Sequence, residues 1–96
     1  MMEAARYSPS EIEGVVIEEI RNLTTIRLDP DMPIDRDTVL KKIGIDFVAV
    51  GELNLSLEKI YGLRNIDVNI FLKNRTNCGD IINYVDSRLR ERYNDR

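Results

Sequence analysis

The chain has 96 residues, 43 % of them hydrophobic and 32 % charged, with a formal charge of −3. That length allows one small domain with a single core. No histidine is present and Cys78 is the only cysteine. Ser-His and Cys-His nucleophile pairs, histidine-ligated metals, thiolate clusters and an internal disulfide are therefore excluded.

No apolar run approaches the roughly 18 residues of a membrane span. Met1 to Pro9 lacks the apolar core of a secretory signal, so a reduced, cytoplasmic setting is the expectation. The mild acidity does not match the clustered basic footprint of a nucleic-acid binder.

In chain order, residues 1–8 read as a tail. Ser8-Pro9-Ser10-Glu11 is a helix start, with Ser8 as cap, Pro9 in the first turn and Glu11 closing a capping box. Ile12, Val16, Ile20 and Leu23, with Val15 beside them, repeat at helical spacing and predict a helix over 9–23. Residues 24–37 lose the helical period. Pro30, Pro33 and four aspartates (Asp29, Asp31, Asp35, Asp37) mark a long loop that Ile26, Leu28, Met32 and Ile34 can pin to the core. Those aspartates lack the glycine turn and terminal glutamate of a calcium loop, so a solvated loop is expected.

Residues 37–44 read as a short helical turn stopped by Gly44. Asp46 caps a second long helix over 47–61, ended by Gly62, with Leu53, Leu57, Ile60 and Tyr61 as its main stripe and Ala49 and Val50 in support. Residues 66–72 fit either a short helix or extended chain. Asn77 then caps a last helix over 78–92 that buries Ile81, Ile82, Val85 and Leu89. Residues 93–96 form a charged tail. Three apolar stripes on one short chain can be buried only against each other, which predicts an all-α bundle with its domain over 9–92.

Ile43-Gly44-Ile45-Asp46-Phe47-Val48 resembles the signature of acyl and peptidyl carrier proteins: an aliphatic, glycine, any residue, aspartate, serine and an aliphatic. The flanking register agrees. Thr38 to Gly44 resembles the family's lead-in, Glu52, Leu53, Leu57, Glu58 and Tyr61 its second helix, and Cys78 to Val85 its last helix. The resemblance covers Glu11 to Leu89 and implies a four-helix carrier bundle, three longer helices and one short, with a long loop after the first.

The resemblance also implies a function. In the family the motif serine is esterified by 4′-phosphopantetheine, whose thiol carries the acyl group. Here Phe47 occupies that position, and a phenyl ring supplies no nucleophile. Thr38, Ser56 and Ser87 lie outside the glycine-x-aspartate context; Ser56 is nine residues further on, about 13 Å along a helix. No phosphopantetheine and no other cofactor or metal is therefore expected. The chain is expected to be a non-enzymatic interaction module of a fatty-acid, polyketide, nonribosomal-peptide or specialised-lipid pathway. The alternatives are a working carrier acylated elsewhere and a non-covalent lipid-binding homologue.

The implied partners are acyl- or peptide-synthesis enzymes docking on the second helix, with self-association through that helix as a further option. The candidate partner-binding residues are Asp46, Phe47, Val48, Val50, Gly51, Glu52 and Leu55. Phe47 either folds onto the bundle or projects as an aromatic anchor. Val48 and Val50 either join the outer face or turn inward. Cys78, at a helix start, could have an acidified thiol, but its place in the family pattern is a buried aliphatic one.

Overall fold

A computed structural model describes residues 8–23 and 33–94. Among the described residues there are three α-helices and no strand: α1 (Pro9–Leu23), α2 (Phe47–Tyr61) and α3 (Cys78–Asn94). Single 3-10 turns at Leu40–Ile43 and Val68–Phe71 lie between them. The all-α expectation holds, with three α-helices among the described residues where the resemblance implied four. No helix among the described residues is long and apolar enough to cross a membrane.

Each helix starts where its side chains can satisfy orphan backbone donors. At α1, the Glu11 amide donates to Ser8 Oγ (3.2 Å) and the Ser8 amide to Glu11 Oε1 (3.0 Å). At α3, the Asp80 amide donates to Asn77 Oδ1 (2.9 Å) and the Asn77 amide to Asp80 Oδ2 (3.0 Å). Both are reciprocal capping boxes. The last helix runs to Asn94, two residues past its expected end.

The core is one cluster. Ile12, Val16 and Ile20 of α1 are completely buried, as are Leu53 and Leu57 of α2 and Cys78, Ile81 and Val85 of α3. Helix α1 packs on both other helices, and α2 also touches the second 3-10 turn. Ile34 is buried and pins its end of the loop; Ile26, Leu28 and Met32 lie outside the described residues. Ile60 departs from the expected stripe. It falls on the Ala49 edge of α2 in the final turn, and it is 43 % exposed.

Residues 36–40 are laced to the start of α3. Leu40 donates to the Thr76 carbonyl (2.9 Å), Cys78 to that of Thr38 (2.9 Å) and Gly79 to that of Arg36 (2.7 Å). A Cβ on residue 79 would stand 3.0 Å from the Arg36 oxygen, so this approach favours glycine. The Arg36 guanidinium reaches Glu13 on α1 (3.1 Å) and Asn83 on α3 (2.6 Å). Asp35 accepts from the Asp37 amide (2.9 Å) and the Thr38 hydroxyl (3.3 Å), folding the loop's end onto itself; Asp29 and Asp31 are outside the described residues.

The second 3-10 turn begins at Asp67, whose carboxylate accepts from the Asn69 amide at 3.0 Å. The Thr76 hydroxyl donates to the Ile70 carbonyl (3.1 Å). From α3, the Tyr84 hydroxyl accepts from the Asp67 amide (3.2 Å) and from Arg88 (2.6 Å). The Tyr84 ring meets Phe71 edge to face at 5.6 Å. These contacts hold the turn beside α2, where it forms one wall of the site below.

Candidate binding surface around Phe47

The approach to α2 is set by two turns in succession. The first 3-10 turn ends at Gly44, whose φ of 78° is left-handed and suits a residue without a side chain. Ile45 then drops into the core, and its amide donates to the Leu40 carbonyl at 3.1 Å. Asp46 follows in extended conformation and accepts from the Ala49 amide at 2.9 Å. Its carboxylate is therefore the N-cap of α2.

With Ile45 pointing in and Asp46 capping, the first helical side chain is thrown outward. Phe47 is 73 % exposed, so the ring is not folded onto the bundle. A helix turns 100° per residue, and the buried arc of α2 is marked by Ala49, Val50, Leu53, Leu57 and Tyr61. Val48 and Leu55 fall opposite that arc and are 57 % and 64 % exposed. Glu52 is exposed on the same outer side and Gly51 is partly covered. A Cβ on Gly51 would meet nothing within 4 Å, so no close packing inside this chain requires a glycine there.

Val50 is a correction to the candidate set. It is only 2 % exposed and belongs to the core. Val48 and Val50 are two residues, about 200°, apart on the helix, so they cannot share the outer face. Asp46, Phe47, Val48, Glu52 and Leu55 are brought together at the surface, with Gly51 between them.

A feature the linear reading missed lies on the other side of Phe47. A groove of about 530 Å³ runs between the first 3-10 turn, the start of α2 and the second 3-10 turn. Leu40, Ile45, Val50, Phe47, Phe71 and Leu72 form its apolar walls, and Lys41 and Asp46 also line it. Its lining comes from residues 40–50 and from Phe71 and Leu72, two stretches far apart in the chain, so no local pattern announces it.

Cys78 is fully buried at the start of α3. Loss of solvation, with a further push from the Asp35 charge, raises its thiol from the ordinary 9.0 to about 11, against a smaller lowering by a backbone hydrogen bond. The thiol is protonated at neutral pH and packs as a small apolar side chain. Among hydroxyls named as substitutes for the missing serine, that of Thr38 is bound to Asp35.

No protein-family model, curated protein or solved structure matches the chain.

Proposed function

We propose that the protein is a carrier-like interaction module, with the acyl-carrier type of four-helix bundle reduced to three α-helices and two 3-10 turns. It carries no phosphopantetheine and performs no catalysis. It docks on an acyl- or peptide-synthesis enzyme of a fatty-acid, polyketide, nonribosomal-peptide or specialised-lipid pathway, through the outer face of α2.

The observation that carries this reading is the placement of Phe47. The residue stands where the resembled family has its modified serine, directly after the cap Asp46, and it projects 73 % exposed into solvent. In the family this spot presents the arm to a partner enzyme. Here it presents an aromatic ring, the side-chain class that most often anchors an interface. Val48 and Leu55 extend the apolar surface, and Glu52 supplies charge at its side. Isolated apolar side chains on a surface are ordinary, but three on one helix face make a patch of the kind that partners cover.

Affinity capture from the cells that make the protein, with wild type, Phe47→Ala and Glu91→Ala as baits, tests the docking face. The reading predicts an acyl- or peptide-synthesis enzyme recovered with wild type and Glu91→Ala and reduced about tenfold with Phe47→Ala. Equal recovery with all three baits would remove Phe47 as an anchor.

A further inference from the structure

Helix α2 leaves two opposite charges unused. Glu52 and Lys59 are both exposed, and among the described residues neither side chain is held in an ion pair. They stand seven residues apart, beyond the spacing of three or four at which side chains of one helix meet. At 100° per residue, Leu55 sits near the centre of the outer face, with Lys59 about 40° and Glu52 about 60° to one side of it. Gly51 and Glu58 lie to the other side at about 40° and 60°, and Phe47 follows at about 80°. Leu55 itself is 64 % exposed.

This face is complementary to itself in one orientation. When two copies of α2 meet antiparallel about a two-fold axis, the same side of each helix faces the same side of the other. An axis beside Leu55 and Ser56 lies midway between residues 52 and 59. It therefore sets Glu52 of each copy level with Lys59 of the other, and both contacts are attractive. A parallel pair would set Glu52 level with Glu52 and Lys59 level with Lys59, and both contacts would repel. The other two carboxylates of this helix do not oppose the antiparallel pair. With that axis the two helices overlap over residues 50–61, so the N-cap Asp46 lies beyond the overlap. Glu58 is partly exposed and comes across from Gly51 of the second copy, whose missing side chain leaves the carboxylate open to water.

We propose that the protein forms a two-fold symmetric homodimer through the outer face of α2, with the helices antiparallel, Leu55 against Leu55 at the axis, and Glu52 of each copy paired with Lys59 of the other. Burial of Leu55 and of Val48, which reaches the C-terminal end of the other α2, gives the affinity. The two exposed ion pairs add little energy and set the orientation. One face of a 15-residue helix is a small interface, so the dimer is weak and exchanges with monomer. The dimer occupies the face proposed above for a synthesis enzyme, so either one covers it at a time. It does not rest on that reading, because its partner is the chain itself, and Phe47 lies at its rim.

The test is sedimentation equilibrium of the purified full-length protein at physiological salt, from about 10 μM to about 1 mM. The expected result is a mass that rises with concentration toward twice that of the monomer. Leu55→Asp, at an exposed position, should raise the dimer Kd at least tenfold with an unchanged helical spectrum. Glu52→Lys and Lys59→Glu should each raise it several-fold, by setting like charges across the pair. Mixing those two variants, or combining both changes in one chain, should restore the wild-type Kd. Phe47→Ala should change it no more than about twofold, unlike its effect on enzyme capture. A monomer up to about 1 mM would overturn the dimer and leave the capture experiment to decide the docking reading by itself. A dimer that Leu55→Asp leaves intact, or whose single charge variants are not rescued by mixing, would overturn the assigned geometry.

Discussion

Helices α1 and α2 are the same length, 15 residues, and do the same structural work in opposite styles. Each buries a stripe against the shared core. Away from that stripe α1 carries Glu11, Glu13, Glu18 and Glu19, and it contributes none of the large exposed hydrophobic residues. Helix α2 contributes Phe47, Val48, Leu55 and Ile60, all but one of the five among the described residues. Folding requires only the stripe, so the remaining positions are free to answer to something else. On α1 they answer to solvent. On α2 they carry apolar side chains that solvent alone does not favour, and that difference supports the proposal that a partner covers this face.

Variants can break or sharpen this contrast. The largest effect is expected inside α2: Leu53→Ala, at a completely buried position, should cost about 2–5 kcal/mol in urea unfolding. Two residues further on, Leu55→Ala should change stability by no more than about 0.5 kcal/mol. A large loss at Leu55 would mean that the outer face serves the fold, and the contrast with α1 would collapse.

A middle effect is expected at the caps. Asp46→Ala removes the carboxylate that accepts the Ala49 amide and should cost about 0.5–2 kcal/mol. Ser8→Ala at the head of α1 should cost a similar amount, because its hydroxyl accepts the Glu11 amide. A much larger loss for Asp46 alone in thermal unfolding would show a role beyond capping.

A smaller effect than at the caps, and of opposite sign, is expected at the two mid-helix glycines. Neither Gly14 of α1 nor Gly51 of α2 has an atom within 4 Å of a would-be Cβ. Alanine at either should therefore stabilise by roughly 0.5–1 kcal/mol, read as a higher Tm. If Gly51→Ala gains stability yet loses the captured enzyme, close approach by a partner is the reason for the glycine. If it retains capture, the glycine carries no such role.

The long elements were legible because their signals are local. Ser8 with Glu11 starts α1, Asp46 and Gly62 bound α2, and Gly44 ends the first 3-10 turn, all at the expected residues. Asn77 and Asp80 do the same for the start of α3. Residues 66–72 were not legible, because their 3-10 turn is held by Thr76 and by Tyr84 from elsewhere in the chain. Asn65 adds a left-handed backbone (φ 58°) just before it, a conformation that asparagine tolerates but does not announce.

The site divides the same way. That Phe47 stands just after a capping aspartate could be read directly; that it points outward required Ile45 to be seen buried beneath it. Val50 was misplaced because residue type alone did not separate it from Val48, whereas helix rotation does. The groove depends on packing between residues 40–50 and residues 71–72, which no single stretch encodes.

The central claim is that a carrier frame has had its attachment point turned into apolar surface. Intact-mass measurement after incubation with coenzyme A and a permissive phosphopantetheinyl transferase tests it most directly, on wild type and Phe47→Ser. The account predicts no mass gain for wild type and a gain of one phosphopantetheinyl group for Phe47→Ser. A phosphopantetheinyl group on wild type, or a folded Phe47→Ser that the transferase leaves unmodified, would contradict it.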